Sequence, residues 1–160
     1  MTEILENQLY LGDINDANDT SFLIDNNINT IICVAKDGEI KVDDLNKKIN
    51  IHYFDIEDNL TYNIYDDFDN ITKLINESED RSGAILINCI CGISRSATIV
   101  TAYLMKYYKM SLNNSLKGIY NTRREICINS SFIEQLIKYE YLIYGRNSIS
   151  FDDCHKIFFY

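Results

Sequence analysis

Residues 84–108 read AILINCICGISRSATIVTAYLMKYY, and their division into strand, loop and helix decides the fold. Ala84-Ile85-Leu86-Ile87-Asn88 is a short, continuously apolar run, the pattern of a strand buried on both faces. Residues 96–108 form a longer, largely apolar stretch of helical length. Between them, Asn88-Cys89-Ile90-Cys91-Gly92-Ile93-Ser94-Arg95-Ser96 makes a tight loop with a glycine near its centre. Residues 83–105 as a whole are poor in charge, but Arg95 sits near their middle among Asn88, Ser94 and Ser96. An Arg at the centre of a membrane helix costs roughly 2.5–3.5 kcal/mol on insertion scales, so the stretch is read as strand, loop and helix and no membrane span is expected.

Working outward, residues 30–34 (TIICV) are a second continuously β-branched strand, and Leu9-Tyr10-Leu11-Gly12 and residues 50–54 (NIHYF) are shorter ones. Apolar residues Ile64, Phe68, Ile71, Leu74 and Ile75 recur at helical spacing and predict a helix over 62–79. Further helices are predicted over 16–27, 112–124 and 132–144, the last opened by a capping box of Ser131 with Glu134 and closed by Gly145. Strands alternating with amphipathic helices specify a single α/β domain, a central and mainly parallel sheet of four to five strands flanked by helices. The catalytic unit is expected to span 1–145, with 146–160 a C-terminal tail of unassigned packing. In such sheets ligands bind beyond the carboxyl ends of the strands, where the 88–96 loop lies.

The 160 residues carry 15 Lys and Arg against 24 Asp and Glu, a net charge of −9, which argues against a protein that grips nucleic acid by neutralising its phosphates. With 46% hydrophobic and 24% charged residues the composition is that of a folded domain. Five cysteines without a CxxC pair and two histidines suggest neither a disulfide framework nor a zinc site, and the acidic N-terminus MTEILENQLY is no secretory signal, so a reducing, cytoplasmic setting is expected.

The loop carries the chemistry. Cys89 ends a buried strand and Arg95 opens a helix six residues later, a span that curls Ile90, Cys91, Gly92, Ile93 and Ser94 into a cradle whose N–H groups converge on one anion. The helix N-terminus adds partial positive charge, and the Arg95 fork makes bidentate bonds to two phosphate oxygens. The same positive field stabilises a thiolate at Cys89. Nucleophile and oxyanion cradle then come from one loop, the equipment for phosphoryl displacement through a cysteinyl-phosphate with no metal or cofactor. A leaving alkoxide also needs a proton, and Asp55, Glu57 and Asp58 all lie in the loop after the NIHYF strand.

On these residues the sequence resembles the dual-specificity phosphatases of the cysteine-based protein tyrosine phosphatase superfamily, over about residues 5–145. The most specific part is Cys89-x5-Arg95-Ser96 with Ala97-Thr98-Ile99-Val100 and Ala102-Tyr103-Leu104-Met105; Leu9 to Gly12 with Ala17, and Asn129 with Phe132, Gln135 and Leu136, add to it. The resemblance implies Cys89 as nucleophile, Arg95 as phosphate ligand and Ser96 as the group assisting the thiolate when water attacks the phosphoenzyme. It selects Asp58 as general acid, by its distance from Ile64, and assigns Arg124 to a second anionic subsite present in some members. It implies a phosphorylated protein as substrate, with phosphoserine and phosphothreonine admitted beside phosphotyrosine because the chain is too short for the segments that deepen the pocket of the tyrosine-specific enzymes.

Departures from the pattern are informative. Asn88 stands where the family has His, which predicts weaker support for the thiolate because Asn carries no charge. Cys127 and Ile128 replace the common Gly and Pro before Asn129. Cys33 and Cys91 are candidates for a protective disulfide with Cys89, as in some relatives. Two other functions use the same residues: a phosphatase acting on RNA 5′-triphosphate ends or phosphoinositides, which the acidic composition opposes for RNA, and a phosphoprotein-binding module of little activity, which Asn88 alone favours.

Overall fold

A computed structural model describes residues 1–42, 49–79 and 83–158; Phe159 and Tyr160 of the C-terminal KIFFY run lie outside the described residues. Among the described residues five strands form one sheet: β1 (Thr2–Leu5), β2 (Leu9–Gly12), β3 (Ile28–Cys33), β4 (Asn50–Tyr53) and β5 (Ala84–Asn88), in the order β1-β2-β5-β3-β4. β2, β3, β4 and β5 run parallel, and only β1 at the edge is antiparallel to its neighbour. β5 is the central strand, all five of its residues buried, with Leu86 in register with Tyr10 on one side and Ile31 on the other. The apolar strand read from the sequence is therefore the one that holds the loop.

The helices are α1 (Ile14–Asn18), α2 (Thr20–Asp25), α3 (Tyr65–Glu79), α4 (Arg95–Tyr108), α5 (Leu112–Thr122), α6 (Ser130–Tyr144) and α7 (Phe151–Phe158). α4 leaves the loop and runs through the core, its residues 96–105 buried among the sheet, α3 and α6. Within it the Thr98 and Thr101 hydroxyls donate to the carbonyls of Ser94 and Ala97 at 2.9 and 2.7 Å, so these buried polar groups are satisfied one turn back. Glu140 of α6, 1% exposed, accepts from the amides of Leu112 at 2.7 Å and Ser148 at 2.8 Å. Its carboxylate thus meets the positive end of α5.

Three expectations are corrected. The single helix over 16–27 is two helices, because Asp19 adopts an extended backbone and its side chain accepts from the Phe22 amide, ending α1 and capping α2. The capping box of Ser131 and Glu134 is absent: α6 begins at Ser130 with Asn129 as its cap, while the Ser131 hydroxyl accepts from Gln135 at 3.1 Å. α3 begins at Tyr65 rather than at 62, because the Asn59 side chain accepts from the amides of Thr61 and Tyr62 and holds these residues in a turn. β1 was not expected at all. Its TEIL sequence has no strand signal of its own, and pairing with β2 through a turn with left-handed Asn7 (φ 55°) makes it a strand.

Residues 146–158 pack on the body. Ser150 caps α7 by accepting from the Asp153 amide, and Phe151, Cys154 and Phe158 recur at helical spacing. Cys154 and Phe158 are buried, Phe158 edge-on to Tyr120 of α5 with ring centroids 5.7 Å apart. Burial pushes the Cys154 thiol up to about 12, with Glu140 and Asp153 adding to the effect, so this thiol stays protonated at neutral pH.

Candidate active site

The loop 89–94 hangs from the end of β5 and feeds α4, and the carbonyls of Ile90, Gly92, Ile93 and Ser94 are held by residues beyond it. The Ile90 carbonyl accepts from the Ile14 amide at 3.2 Å, the Gly92 carbonyl from Arg123 Nε at 2.9 Å, the Ile93 carbonyl from the Cys127 amide at 2.9 Å and the Ser94 carbonyl from the Thr98 amide at 2.8 Å. The peptide bonds are trans, so each N–H points opposite to the carbonyl of its own peptide. Carbonyls turned outward therefore mean amides turned inward, and the cradle follows from hydrogen bonds that the loop makes behind itself. Gly92 is required there: its φ is +67°, and a Cβ would lie 2.7 Å from the Gly12 carbonyl oxygen and 2.8 Å from Arg123 Nη2.

Cys89 Sγ accepts from the Gly92 amide at 3.2 Å and lies 3.2 Å from Ser96 Oγ, the hydroxyl one residue into the helix from Arg95. Arg95 Nη1 donates to the Ile56 carbonyl at 3.0 Å, which ties the guanidinium to the loop after β4. Its Nε is buried without a hydrogen bond, 3.6 Å from Asp58 Oδ2, an ion-pair distance but not a hydrogen-bond one. That edge of the fork is a donor already stripped of water, the form in which an anion gains most from it.

Among the three acidic residues after β4, the structure brings Asp58 to the cleft. Asp58 Oδ1 accepts from Ser94 Oγ and from Asn129 Nδ2, each at 3.1 Å, and the Asn129 amide donates to Ser94 Oγ at 3.1 Å. Glu57 is turned to Lys36, whose charge and hydrogen bond hold its carboxyl below the usual range, and Asp55 is exposed. The loop is braced by Gln135 of α6, which accepts from the Tyr65 amide at 2.8 Å and donates to the Tyr62 carbonyl at 3.0 Å. Tyr62 in turn donates to Asp67 at 3.0 Å; burial first, then that carboxylate, push its phenol up to about 12.

A cleft of about 300 Å³ opens over Cys89, lined by Asp58, Leu60, Ile93, Arg95, Asn129 and the exposed thiols of Cys91 and Cys127 among others. A larger cavity, about 500 Å³ around Lys109, Glu140 and Arg146, is lined by none of these residues. Asn88 is fully buried; its amide donates to Cys33 Sγ at 3.7 Å and to the Cys89 carbonyl at 3.4 Å, while its Oδ1 has no partner. Cys33 is a free thiol beneath the loop, pushed up by burial, with the hydrogen bonds of Ala35 and Asn88 opposing. No cluster of three or more His, Cys, Asp or Glu among the described residues is arranged to hold a metal ion, and none of their helices is long and apolar enough to cross a membrane.

Arg124, read as lining a second anionic subsite, is not among the residues around the cleft; it is exposed and stacks over Tyr120, 4.8 Å from the ring centroid. Its neighbour Arg123 is the buried one, and sequence reasoning passed over it. α5 ends at Thr122, so Arg123 leaves helical geometry (φ −136°, ψ 89°) and turns its side chain under the loop. No spacing rule in the sequence separates the two arginines.

Comparison with known proteins agrees with this architecture. The dual specificity phosphatase catalytic domain matches residues 9–141. Dual specificity protein phosphatase 18 of Bos taurus is 35% identical over 145 residues, 91% of this chain and 76% of that protein, and the Homo sapiens protein of the same name is 35% identical over 141 residues, 88% and 73%. Human DUSP28 shares the fold, with a TM-score of 0.84 at 21% identity over 91% of this chain and 99% of that one. The human tyrosine phosphatase-like serine/threonine/tyrosine-interacting protein superposes with a TM-score of 0.80 at 30% identity, over 89% and 96%. A Cys-x5-Arg loop between a central parallel strand and a buried helix, with a match of this extent around it, assigns the chain to the dual-specificity phosphatases, protein phosphatases of the cysteine-based protein tyrosine phosphatase superfamily.

Proposed function

We propose that this phosphatase hydrolyses phosphotyrosine and phosphoserine or phosphothreonine esters of proteins through a cysteinyl-phosphate formed on Cys89. The observation that carries the reading is Cys89 Sγ at 3.2 Å from both the Gly92 amide and Ser96 Oγ, inside a loop whose carbonyls face away. The thiolate attacks phosphorus in line with the ester oxygen, and the phosphorus–oxygen bond breaks as the sulfur–phosphorus bond forms. Arg95 takes two of the three equatorial oxygens, and the inward amides stabilise the charge that builds on all three. Asp58 supplies the proton that leaves with the alcohol or phenol. Water then attacks the phosphocysteine, Asp58 takes its proton back, and the Ser96 hydroxyl stabilises the departing thiolate.

The cleft wall suits a protein substrate of modest depth. Leu60 is 68% exposed at the rim, available to pack beside a phosphorylated side chain or its neighbour. The test is phosphate release from a phosphotyrosine peptide, in chelator and reductant, with Cys89→Ser beside the parent. Turnover that survives the chelator and vanishes in the variant supports the reading. Peptide binding by both proteins without turnover by either makes the chain a phosphoprotein-binding module, and neither binding nor turnover directs the search to triphosphorylated RNA and phosphoinositides.

A further inference from the structure

The carbonyls on the outer face of the loop are not held alike. The Ile90 and Ile93 carbonyls are taken by backbone amides of Ile14 and Cys127, which nearly any sequence supplies, whereas the Gly92 carbonyl is taken by a side chain, Arg123. That residue is 7% exposed and does not line the cleft; it lies on the far side of the loop, its Nη1 3.2 Å from Thr2 Oγ1 of β1. Contact is close enough that Gly92 has no room for a Cβ against Nη2. Glu125, 61% exposed, pairs with the guanidinium at 3.6 Å from Nε, a contact weakened by solvent.

We propose that Arg123 is a positioning residue for phosphoryl transfer, which fixes and polarises the Gly92–Ile93 peptide so that the Ile93 N–H is aimed at the transferring phosphate. This role rests on the catalytic reading of the loop. In a trans peptide, a carbonyl held by Arg123 behind the loop sends the Ile93 N–H into the cradle. A charged donor on a carbonyl bonds about twice as strongly as a neutral one, and it draws electron density along the peptide, which strengthens the N–H at the other end. The guanidinium also places a second positive charge behind the cradle, buried and therefore weakly screened. Arg95 meets the phosphate from the front, and Arg123 sets the backbone that meets it from below. Through Thr2 it also joins the edge strand β1 to the catalytic loop.

The experiment compares Arg123→Met, Arg123→Lys and Thr2→Val with the parent, reading kcat, KM, inhibition by orthovanadate and the melting temperature. Loss of a single oxyanion donor lowers kcat by about 100-fold or more, and a donor mis-aimed rather than removed is expected to cost about 30-fold. Arg123→Met should lose that factor in kcat and a similar one in orthovanadate affinity, with little change in KM. Arg123→Lys, which keeps the charge and one donor, should recover most of it, and Thr2→Val should match the parent. A kcat for Arg123→Met within about twofold of the parent, or a loss equal to the fraction of unfolded protein, overturns the assignment.

If Arg123→Met does not fold, Arg123→Gln, which keeps a neutral donor but removes the charge, carries the test through the Ile93 amide resonance in 15N-labelled protein titrated with orthophosphate. A phosphate-induced shift at Ile93 that changes in the variant, while those of Ser94 and Arg95 are kept, supports the role; an identical shift in both proteins overturns it. The same titration decides the matter if the parent shows no turnover, because that failure belongs to the catalytic reading and not to the placement of Ile93.

Discussion

The loop that carries the proposed nucleophile and the loop that carries the proposed acid are built in opposite ways. The first is seven consecutive residues, 89–95, between a central strand and a buried helix, and Cys89 to Arg95 are placed by the chain that joins them. The second is exposed chain after β4, where Asp58 is held by Ser94 of the 89–95 loop, Asn129 at the cap of α6 and the Arg95 charge. One site is set by local covalent geometry and the other by contacts between residues 36 and 71 positions apart. A substitution in the first should therefore stop the chemistry outright, and one in the second should grade it.

The sharpest test of that contrast is Arg95→Lys. Lysine keeps the charge but cannot bond the Ile56 carbonyl and two phosphate oxygens together, so kcat should fall about 1,000-fold with the melting temperature little changed. A loss below tenfold would mean that charge, not the fork, does the work. Asp58→Asn should follow, with kcat lower by about 100-fold on phosphoserine peptide and far less on an aryl phosphate whose phenol leaves without a proton. Asp55→Asn and Glu57→Gln should stay within about twofold, since Asp55 is exposed and Glu57 is paired with Lys36. Equal losses on both kinds of substrate for Asp58→Asn would show that Asp58 holds the loop rather than supplying a proton.

The same contrast explains which parts of the molecule were legible in the sequence. β3 and β5 were readable because continuous apolar runs identify central strands, and the cradle was readable because its parts are adjacent. β1 was not, since TEIL becomes a strand only by pairing with β2. Asp19, Asn129 and Ser131 show the limit for helix ends: several capping residues stood in a row, and side-chain reach chose among them, with Ser131 drawn to Gln135. Arg123 and Arg124 are the clearest case. They are identical in type and adjacent, yet where α5 stops sends one under the 89–95 loop and the other to the surface.

Asn88 sits at the boundary between the two regimes, adjacent to Cys89 but buried against Cys33. It supports Cys89 through the main-chain carbonyl and brings no charge to the thiolate. Asn88→His should raise the rate of Cys89 alkylation by iodoacetamide at pH 6 by about threefold, at some cost in stability because the site is fully buried. An unchanged rate would show that the loop amides and the α4 N-terminus already supply all the support the thiolate uses.

The smallest expected effect tests whether the acid loop is held from its far end. Tyr62 closes the turn after Asp58 and its phenol donates to Asp67 of α3. Its folded-state value of about 12 stands above the 10.0 of an ordinary tyrosine, so the folded protein keeps the proton longer than the unfolded chain does. The bond's contribution is then fully present below about pH 10 and is lost as pH rises from there towards about 12. Tyr62→Phe should lower kcat about twofold at pH 7, an effect transmitted only through the placement of Asp58. The difference in melting temperature between parent and variant should be constant up to about pH 10 and shrink above it. A difference that persists unchanged through pH 11.5 would assign the bracing to the Gln135 bonds on the Tyr65 amide and Tyr62 carbonyl, which do not titrate, and would leave the phenol a bystander in the acid loop.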